Sequence, residues 1–403
     1  MIDGLRRDDG LVSAVTSLLC TDPRVDVDRR MDAIARVAWS VLAEPGDGVA
    51  GALIQELGAT EALRLAVDEH PTPARVRGGI PVEDGAIDEG ISRWRPRVDP
   101  RRVTDAVRSA LAANARLLLP GDPGWPVQMD DLGRHAPLLL WVRGETRLLA
   151  AAPQVAIIGA RAATAYGEHI AGEFAGELAA TGTVIVSGGA YGIDGAAHRA
   201  ALGVGGATVA FLAGGVDRAY PQGHRDLLER VRTTGAVVSE VPCGTAPTKW
   251  RFLSRNRLIA AVSDATVVIE AGWRSGSLNT AGHAASLGRP LGAVPGPVTS
   301  ATSEGCHRLF REYDARCVTT SAEIRELWGE DPGRRESERT DPDETRLRDA
   351  MSSRTPLATS ELARRSGLSI ERVSALLGLL ELRGEARRSE TGWIGVRRQK
   401  RRR

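Results

Sequence analysis

Short runs of β-forming residues alternate with helical stretches between residues 155 and 294, and this alternation restricts the chain to few folds. A repeated strand, helix, strand order produces parallel strands joined by crossover helices. The predicted strands are 155–158, 183–186, 208–212, 236–239, 266–269 and 291–294. The predicted helices between them are 167–180, 194–202, 223–232, 255–262 and 277–287. We therefore predict an α/β fold, a Rossmann-like, doubly wound and mostly parallel sheet.

Other kinds of segment flank this region. Residues 1–115 lack strand alternation and carry proline-broken helical patterns, which predicts a small helical (SAM-like) domain. A short strand at 137–144 places the start of the extended Rossmann-like domain earlier, at 116–328. A linker is predicted at 329–345, where no apolar side chain is available to pack. The final segments are a winged helix-turn-helix at 346–396 and a basic tail at 397–403.

Composition excludes several classes of protein. The four cysteines show no CxxC or Cys/His ligand spacing, so neither a metal site nor a disulfide framework is predicted. No apolar run reaches the roughly 18 residues of a membrane helix, and the amino-terminal residues do not resemble a secretion signal. We expect a cytoplasmic protein without a membrane partner. A formal net charge of +2 identifies no partner, so any basic surface must arise from local arrangement.

One cluster of basic residues stands beside a buried-looking run. Arg255, Asn256 and Arg257 precede Leu-Ile-Ala-Ala-Val, and Ser254 is a candidate helix cap in front of them. This arrangement predicts a phosphate cradle, because guanidinium groups would join the free N–H groups of a helix start. The alternative is that each arginine pairs with a carboxylate, since arginine is abundant here and lysine occurs only twice.

Glycine-rich loops follow the predicted strands, at the edge of the sheet where doubly wound folds bind ligands. Glycine lets a backbone approach phosphate closely, and six such loops predict an extended phosphate-binding surface. The GxGxxG spacing and the P-loop are missing, which argues against a nicotinamide dinucleotide and against P-loop hydrolysis. Asp194 and His198 lie one helical turn apart, and we interpret them as a helix cap and a packed core histidine rather than as a catalytic pair.

The loops resemble those of the bacterial DNA processing protein A family (DprA/Smf). The matching motifs are Gly-x-Arg at 159–161, Ser-Gly-Gly-Ala-x-Gly-Ile-Asp at 187–194, Gly-Gly-x-Asp with Tyr-Pro at 214–221, Phe-x-x-Arg-Asn-Arg at 252–257, and Ser-Gly-Ser at 275–277. The resemblance implies a nonenzymatic single-stranded DNA-binding protein that protects incoming DNA and loads the RecA recombinase in natural transformation or recombination. It also implies a homodimer, no cofactor, and a helical domain and winged helix on either side.

The resemblance assigns roles residue by residue. Phosphate contacts fall to Arg161, Lys249, Arg255, Asn256 and Arg257. The loop residues Gly159, Ser187, Gly188 and Gly189 supply backbone donors or close approach, Ser275, Gly276 and Ser277 line the same pocket, and Phe252 stacks on a base. Departures from the family pattern are Ala160, His224, Leu253 and His307. No catalytic residue and no metal ligand is predicted.

Two other functions remain open at this point. Glycine-rich loops and Glu270 also suit a nucleotide or nucleoside-monophosphate phosphoribohydrolase-like enzyme, although the Pro-Gly-Gly-x-Gly-Thr-x-x-Glu motif of such enzymes is missing. A winged helix also suits a transcription regulator. Its recognition helix, however, has Arg372 beside Glu371 on the outward face, which favours a protein-contact or accessory role.

Overall fold

A computed structural model describes residues 2–20, 26–67, 79–83, 85–330 and 341–396. The chain forms two compact units, residues 1–330 and 331–403. The basic tail at 397–403 and most of the predicted linker, residues 331–340, lie outside the described residues.

The first part of the larger unit is helical, as predicted. Its α-helices are α1 (Ile2–Arg7), α2 (Asp9–Leu18), α3 (Val27–Leu42), α4 (Gly48–Leu57), α5 (Ala59–Val67), α6 (Ala86–Trp94) and α7 (Pro100–Ala112), with a 3₁₀ turn at Arg95–Arg97. These helices share one apolar core with part of the sheet, since the buried Trp39 belongs to the same cluster as Trp141 and Leu212.

A sheet of nine strands forms the rest of this unit. The strands are β1 (Arg116–Leu118), β2 (Leu140–Gly144), β3 (Gln154–Ile158), β4 (Val184–Ser187), β5 (Thr208–Leu212), β6 (Ala236–Ser239), β7 (Ala265–Val268), β8 (Leu291–Ala293) and β9 (Arg316–Cys317). Their order is β1-β2-β6-β5-β4-β3-β7-β8-β9. Strands β3 to β9 run parallel, whereas β1 and β2 pair antiparallel at one edge.

Crossover helices cover both faces of the sheet. They are α8 (Ala165–Ala180), α9 (Ile193–Gly203), α10 (Arg225–Thr234), α11 (Lys249–Val262), α12 (Ser277–Ser286) and α13 (Glu304–Glu312), and a further helix, α14 (Ser321–Arg325), follows the last strand. Short 3₁₀ segments lie at Val127–His135, Thr146–Leu149, Gln222–His224 and Glu326–Trp328. Alternate β3 residues point to different cores, Val155 to the one that holds Phe174 of α8 and Ala156 to the one that holds Ala281 of α12. The strands therefore read as continuous apolar runs rather than as alternating ones.

The doubly wound sheet is confirmed, and all six predicted parallel strands are present to within about one residue. The strands β1 and β9, which have three and two residues, were not predicted. Strands this short carry too few residues for a periodic pattern to be visible. Because β4 lies on one side of β3 and β7 on the other, the strand order reverses at β3 and creates a switch point.

The smaller unit has the order of elements predicted for a winged helix. It contains α15 (Pro342–Ala350), α16 (Thr359–Ser366) and α17 (Ile370–Leu382), followed by the hairpin β10 (Ala386–Ser389) and β11 (Gly392–Gly395). The predicted inward stripe of α17 is buried and consists of Val373, Leu376, Leu377 and Leu380. The outward cation Arg372 forms ion pairs with Asp341 and Asp343, so this face offers no free cation at that position.

Candidate nucleic-acid interface

A cleft of about 510 Å³ opens at the switch point between β3 and β7. The loop after β3, the loop after β7 and one face of α11 line it. The structure brings eight of the predicted site residues together in this lining: Gly159, Arg161, Phe252, Arg255, Asn256, Ser275, Gly276 and Ser277. Ser187, Gly188, Gly189, Lys249 and Arg257 lie outside the lining.

Close packing explains two of the glycines around the cleft. A Cβ atom on Gly159 would lie 2.6 Å from the Ile193 side chain and 2.8 Å from the carbonyl oxygen of Glu270. A Cβ atom on Gly188 would lie 2.1 Å from Nη1 of Arg255. A side chain at position 159 would displace the strand-end loops that shape the cleft, and one at position 188 would displace the Arg255 guanidinium.

The predicted helix cap at Ser254 is wrong. The helix α11 begins at Lys249, and its cap is Thr248, whose hydroxyl accepts from the backbone N–H of Arg251 at 3.3 Å. The predicted start lies where the buried apolar run begins, but the first two turns of α11 mix charged, polar and apolar residues and are at most partly buried. Arg255, Asn256 and Arg257 therefore lie inside the helix, where their N–H groups are not free to form a phosphate cradle.

Arg257 forms a buried ion pair with Glu240. Its Nη1 and Nη2 atoms each donate to a carboxylate oxygen of Glu240 at 2.8 Å, and its Nε donates to the carbonyl of His135 at 3.0 Å. Both side chains of the pair are at least nine-tenths buried. The structure thus favours the structural alternative for Arg257, whose donors are already engaged within the protein.

Arg255 combines burial with a position on the cleft. Its Nη1 donates to the carbonyl of Phe211 at 2.6 Å, and its Nε is buried without a hydrogen-bond partner. Burial lowers the pKa of Arg255 to about 10, and the nearby Asp194 carboxylate opposes that shift. Arg255 therefore remains a cation at neutral pH and contributes positive charge to the wall of the cleft.

Asp194 orders the loop after β4 rather than capping its own helix, so the predicted cap is wrong. Gly192 occupies the cap position of α9, and the Asp194 carboxylate accepts from the N–H groups of Gly188 at 3.1 Å and Ala190 at 3.3 Å. Ser187 is fully buried and donates its hydroxyl to the carbonyl of Ile157. Donation from Gly188 to a phosphate would require its release from Asp194.

Three exposed cations around the cleft have no carboxylate partner among the described residues. They are Arg161, Lys249 and Arg274. By contrast, Arg251 at the start of α11 pairs with Glu44. Asp194 is the sole acidic residue among those that line the cleft, against Arg161, Arg255 and Arg274. Positive charge without a counterion in a concave site attracts an anionic ligand.

Arg274 was not among the predicted site residues. The available signal was its position in the loop after β7, directly before Ser275, Gly276 and Ser277. Those residues have structural contacts of their own: the Ser275 and Ser277 hydroxyls lie 2.6 Å apart, and the Asn256 amide donates to the Gly276 carbonyl at 3.3 Å. Asn256 thus ties α11 to the loop that carries Arg274.

Aromatic rings lie beside the free cations. The guanidinium of Arg161 is 4.8 Å from the centroid of the Phe252 ring. The centroids of the Tyr220 and Phe252 rings are 5.4 Å apart. Phe252 is partly exposed and lines the cleft. A cation and an aromatic face at one site match the two chemical parts of a nucleotide, its phosphate and its base.

Two departures from the family pattern have structural partners. His224 is buried and its Nδ1 donates to the carbonyl of Gly189 at 3.0 Å. His307 donates from Nε2 to the carbonyl of Gly296 at 3.0 Å. Each histidine therefore holds a strand-end loop in place.

Two other groups with potential chemistry are engaged in internal contacts. The carboxylate of Glu270 accepts from the N–H and hydroxyl of Thr164, at 2.9 and 2.7 Å, and from the hydroxyl of Thr302 at 3.1 Å. His198 is fully buried, as the packed-histidine interpretation predicts, with Nδ1 2.7 Å from the Thr208 hydroxyl. The Thr208 hydroxyl donates its one hydrogen to the carbonyl oxygen of Ile185, so it can only accept from His198. The proton of the neutral His198 ring is therefore on Nδ1. In the part of the chain that the structure describes, no cluster of three metal-binding side chains occurs.

Comparison with known proteins identifies the family. The model of the family described as DNA recombination-mediator protein A matches residues 116–329. The chain belongs to this family. The model of the DprA winged helix domain matches residues 331–391. As a member of this family, the chain is a DNA recombination mediator with a DNA-processing role. No described helix is long and apolar enough to cross a membrane.

Individual relatives agree with the family assignment. A Mycobacterium tuberculosis protein that carries the name DNA processing protein DprA is 41% identical over 387 residues, covering 90% of this chain and 95% of that protein. The DNA processing protein DprA of Streptococcus pneumoniae is 40% identical over 207 residues, covering 50% of this chain and 71% of that protein. The X-ray structure of DprA from Streptococcus pneumoniae matches with a TM-score of 0.58 at 29% identity, covering 73% of this chain and 96% of that chain.

Replacement of Glu240 by alanine is expected to lower the free energy of unfolding by about 3–5 kcal/mol, because it leaves the Arg257 guanidinium buried without its counterion. The measurement is urea denaturation followed by tryptophan fluorescence. The matched control is Glu44→Ala, which removes the half-exposed partner of Arg251 and should cost about 1 kcal/mol or less. Equal costs for the two variants would contradict the structural role of the Arg257–Glu240 pair.

The buried His198 is expected to make the protein less stable in acid. Desolvation lowers the pKa of His198 from 6.5 to about 3, so its stabilising contribution is present above pH 6.5 and is lost as the pH falls toward 3. Between pH 7 and pH 4 the native chain should lose on the order of 3 kcal/mol more stability than a His198→Gln variant. The measurement is the free energy of unfolding of both proteins, from urea denaturation at each pH. Curves that run parallel between pH 7 and pH 4 would contradict a buried neutral His198.

Proposed function

We propose that the chain binds single-stranded DNA along the carboxyl edge of its sheet, with the cleft between β3 and β7 as the main contact. One observation carries the proposal. Two cations without a carboxylate partner among the described residues, Arg161 and Arg274, line the same concave site as the Phe252 ring. Arg161 and Arg274 bind phosphates in this proposal, Phe252 stacks on a base, and Lys249 contacts the backbone beside the cleft. Arg255 supports them with a fixed positive charge.

The chemistry of the site favours a single strand over a duplex. A base can lie on the Phe252 ring only if its face is free, and in a duplex each base is stacked between its neighbours. Recognition through phosphates and base faces also carries no sequence code, which suits a protein that acts on any incoming strand. The remaining predicted contacts fit this proposal in two ways. The cleft is lined by Gly159, Asn256, Ser275, Gly276 and Ser277, whereas Ser187 and Gly189 are buried outside the lining and support the loop after β4.

The role we propose is that of a cytoplasmic mediator that protects the bound strand and loads a RecA recombinase onto it, working as a homodimer. Family membership supports the mediator role, and the sequence resemblance is the source of the RecA and dimer proposals.

For the winged helix we propose a protein contact. Its α17 exposes Ile370, Leu379 and Leu382, while its single outward cation is neutralised by two aspartates.

The test is fluorescence anisotropy of labelled oligo(dT) titrated with the native chain over a series of salt concentrations, with unlabelled duplex as competitor. We expect a clear preference for the single strand. Arg161→Ala and Arg274→Ala should each weaken binding and reduce the slope of log affinity against log salt by about 0.7, because each removes one phosphate contact. Arg108→Ala, a surface arginine paired with Asp105 on α7, is the matched control and should change neither. Equal affinity for duplex and single strand would refute the proposal.

The mediator role has its own test. RecA filament formation on single strands coated with a single-strand-binding protein should accelerate when the native chain is added. The Arg161→Ala, Arg274→Ala double variant should lose this effect, because it no longer holds the strand. Acceleration that is independent of the double substitution would separate RecA loading from the cleft and contradict the mechanism proposed here.

A further inference from the structure

The exposed aromatic side chains of this protein follow a single pattern. The chain has eight Trp, four Tyr and four Phe, all within the described residues. The strongly exposed ones are Tyr166, Tyr191, Tyr220, Trp250 and Trp273. Each lies between the end of a parallel strand and the first turn of the next helix, one after each of β3, β4, β5, β6 and β7. Exposed rings confined to one edge of one sheet mark a binding surface rather than random surface composition.

The strand order places the loops that carry these five rings side by side along the edge of the sheet. Along the sheet the five strands lie in the order β6, β5, β4, β3, β7, so the loops that carry Trp250 and Trp273 are at opposite ends. Neighbouring strands are about 4.8 Å apart, so the row of strand ends spans about 19 Å. At the roughly 3.4 Å rise of a stacked strand, this length accommodates about six nucleotides. The cleft with Phe252 lies between the last two strands of this row, β3 and β7, and its lining does not include Trp273.

The β7 end of the row is firmly anchored. A turn closed by the hydrogen bond from Ser275 N–H to the Gly272 carbonyl, 3.0 Å long, places Trp273 and Arg274 at its tip. The preceding residue, Ala271, exchanges backbone hydrogen bonds with Thr302 and Gly305, at 2.8 and 2.7 Å. Trp273 is nevertheless 48% exposed, so its large ring is held on a fixed turn without being buried in the core.

A cation supports the Trp273 ring. The guanidinium of Arg308, on α13, lies 5.2 Å from the ring centroid, and its Nε donates to Glu312 at 2.6 Å. The adjacent Arg274 is exposed, lines the cleft and has no carboxylate partner among the described residues. An oriented indole ring beside an unpaired guanidinium repeats, at the β7 end, the combination of Phe252 with Arg161.

We propose that Trp273 and Arg274 form a second base-stacking subsite, in which a nucleobase of single-stranded DNA stacks on Trp273 and the phosphate between the two subsites binds Arg274. Arg308 is a positioning residue that holds the indole ring. The proposal rests on the proposed function, and it extends the bound strand from Phe252 toward the β7 end of the sheet. Because every base has an aromatic face, this subsite adds affinity without sequence preference.

The subsite makes affinity depend on oligonucleotide length. Native chain and variants are titrated against labelled oligo(dT) of three and of twelve nucleotides. Trp273→Ala should weaken binding of the longer oligonucleotide about tenfold or more and leave that of the shorter one, held at Phe252, nearly unchanged. Trp273→Phe should restore most of the loss because it keeps an aromatic face, whereas Trp273→Leu should not. Val298→Ala is the matched control, since it removes an exposed apolar side chain from the next loop.

A second measurement reports contact directly. Photo-crosslinking of oligonucleotides that carry 5-iodo-deoxyuridine, followed by mass spectrometry, should identify Trp273 as a crosslinked residue in the native chain. Native-like affinity of Trp273→Ala for both lengths, or crosslinks at Phe252 without any at Trp273, would overturn the subsite. Equal weakening for both lengths without rescue by phenylalanine would assign Trp273 a structural role and overturn it as well. If the native chain bound neither oligonucleotide, the proposed function itself, on which the subsite depends, would be refuted.

Discussion

The reversal of strand order at β3 fixes where this protein can form a binding site. The helices that follow β3 and β7 pack on opposite faces of the sheet, so the loops at these two strand ends diverge and leave a cleft between them. Glycine at Gly159 lets the β3 loop pass close to Ile193 and Glu270, and Asn256 joins α11 to the β7 loop. The position of the binding residues is therefore a consequence of topology.

The arginines of α11 and its surroundings divide into two groups with different functions. Arg257 and Arg251 have carboxylate partners, Glu240 and Glu44, and hold α11 against the sheet and the helical region. Arg161 and Arg274 have no such partner among the described residues and face the cleft. Internal pairing fixes the scaffold because a buried charge needs a partner, and the unpaired charges are left available for a ligand.

Local pattern predicted much of the fold. The six parallel strands are apolar runs bounded by turn residues, and such runs can be recognised without knowledge of their partners. The start of α11 could not be recognised in this way, because its first turns, Lys249 to Ser254, mix charged and apolar residues without a clear apolar face and the cap at Thr248 precedes them. The partner of Arg257 could not be predicted, since Glu240 lies 17 residues away and nothing in the sequence indicates which carboxylate Arg257 meets.

The class of fold, the loops that carry the site and eight of the residues that line the cleft could be recognised from the sequence alone, because these depend on local composition and on the rule that parallel strands end at one edge. Which cations are free became known only from the three-dimensional fold. Pairing depends on which side chains meet across elements distant in the chain, as when Glu44 meets Arg251 while Arg274 meets no carboxylate among the described residues. The row of exposed aromatic rings likewise became visible only when the strand order was known, because spatial order along the sheet differs from order along the chain.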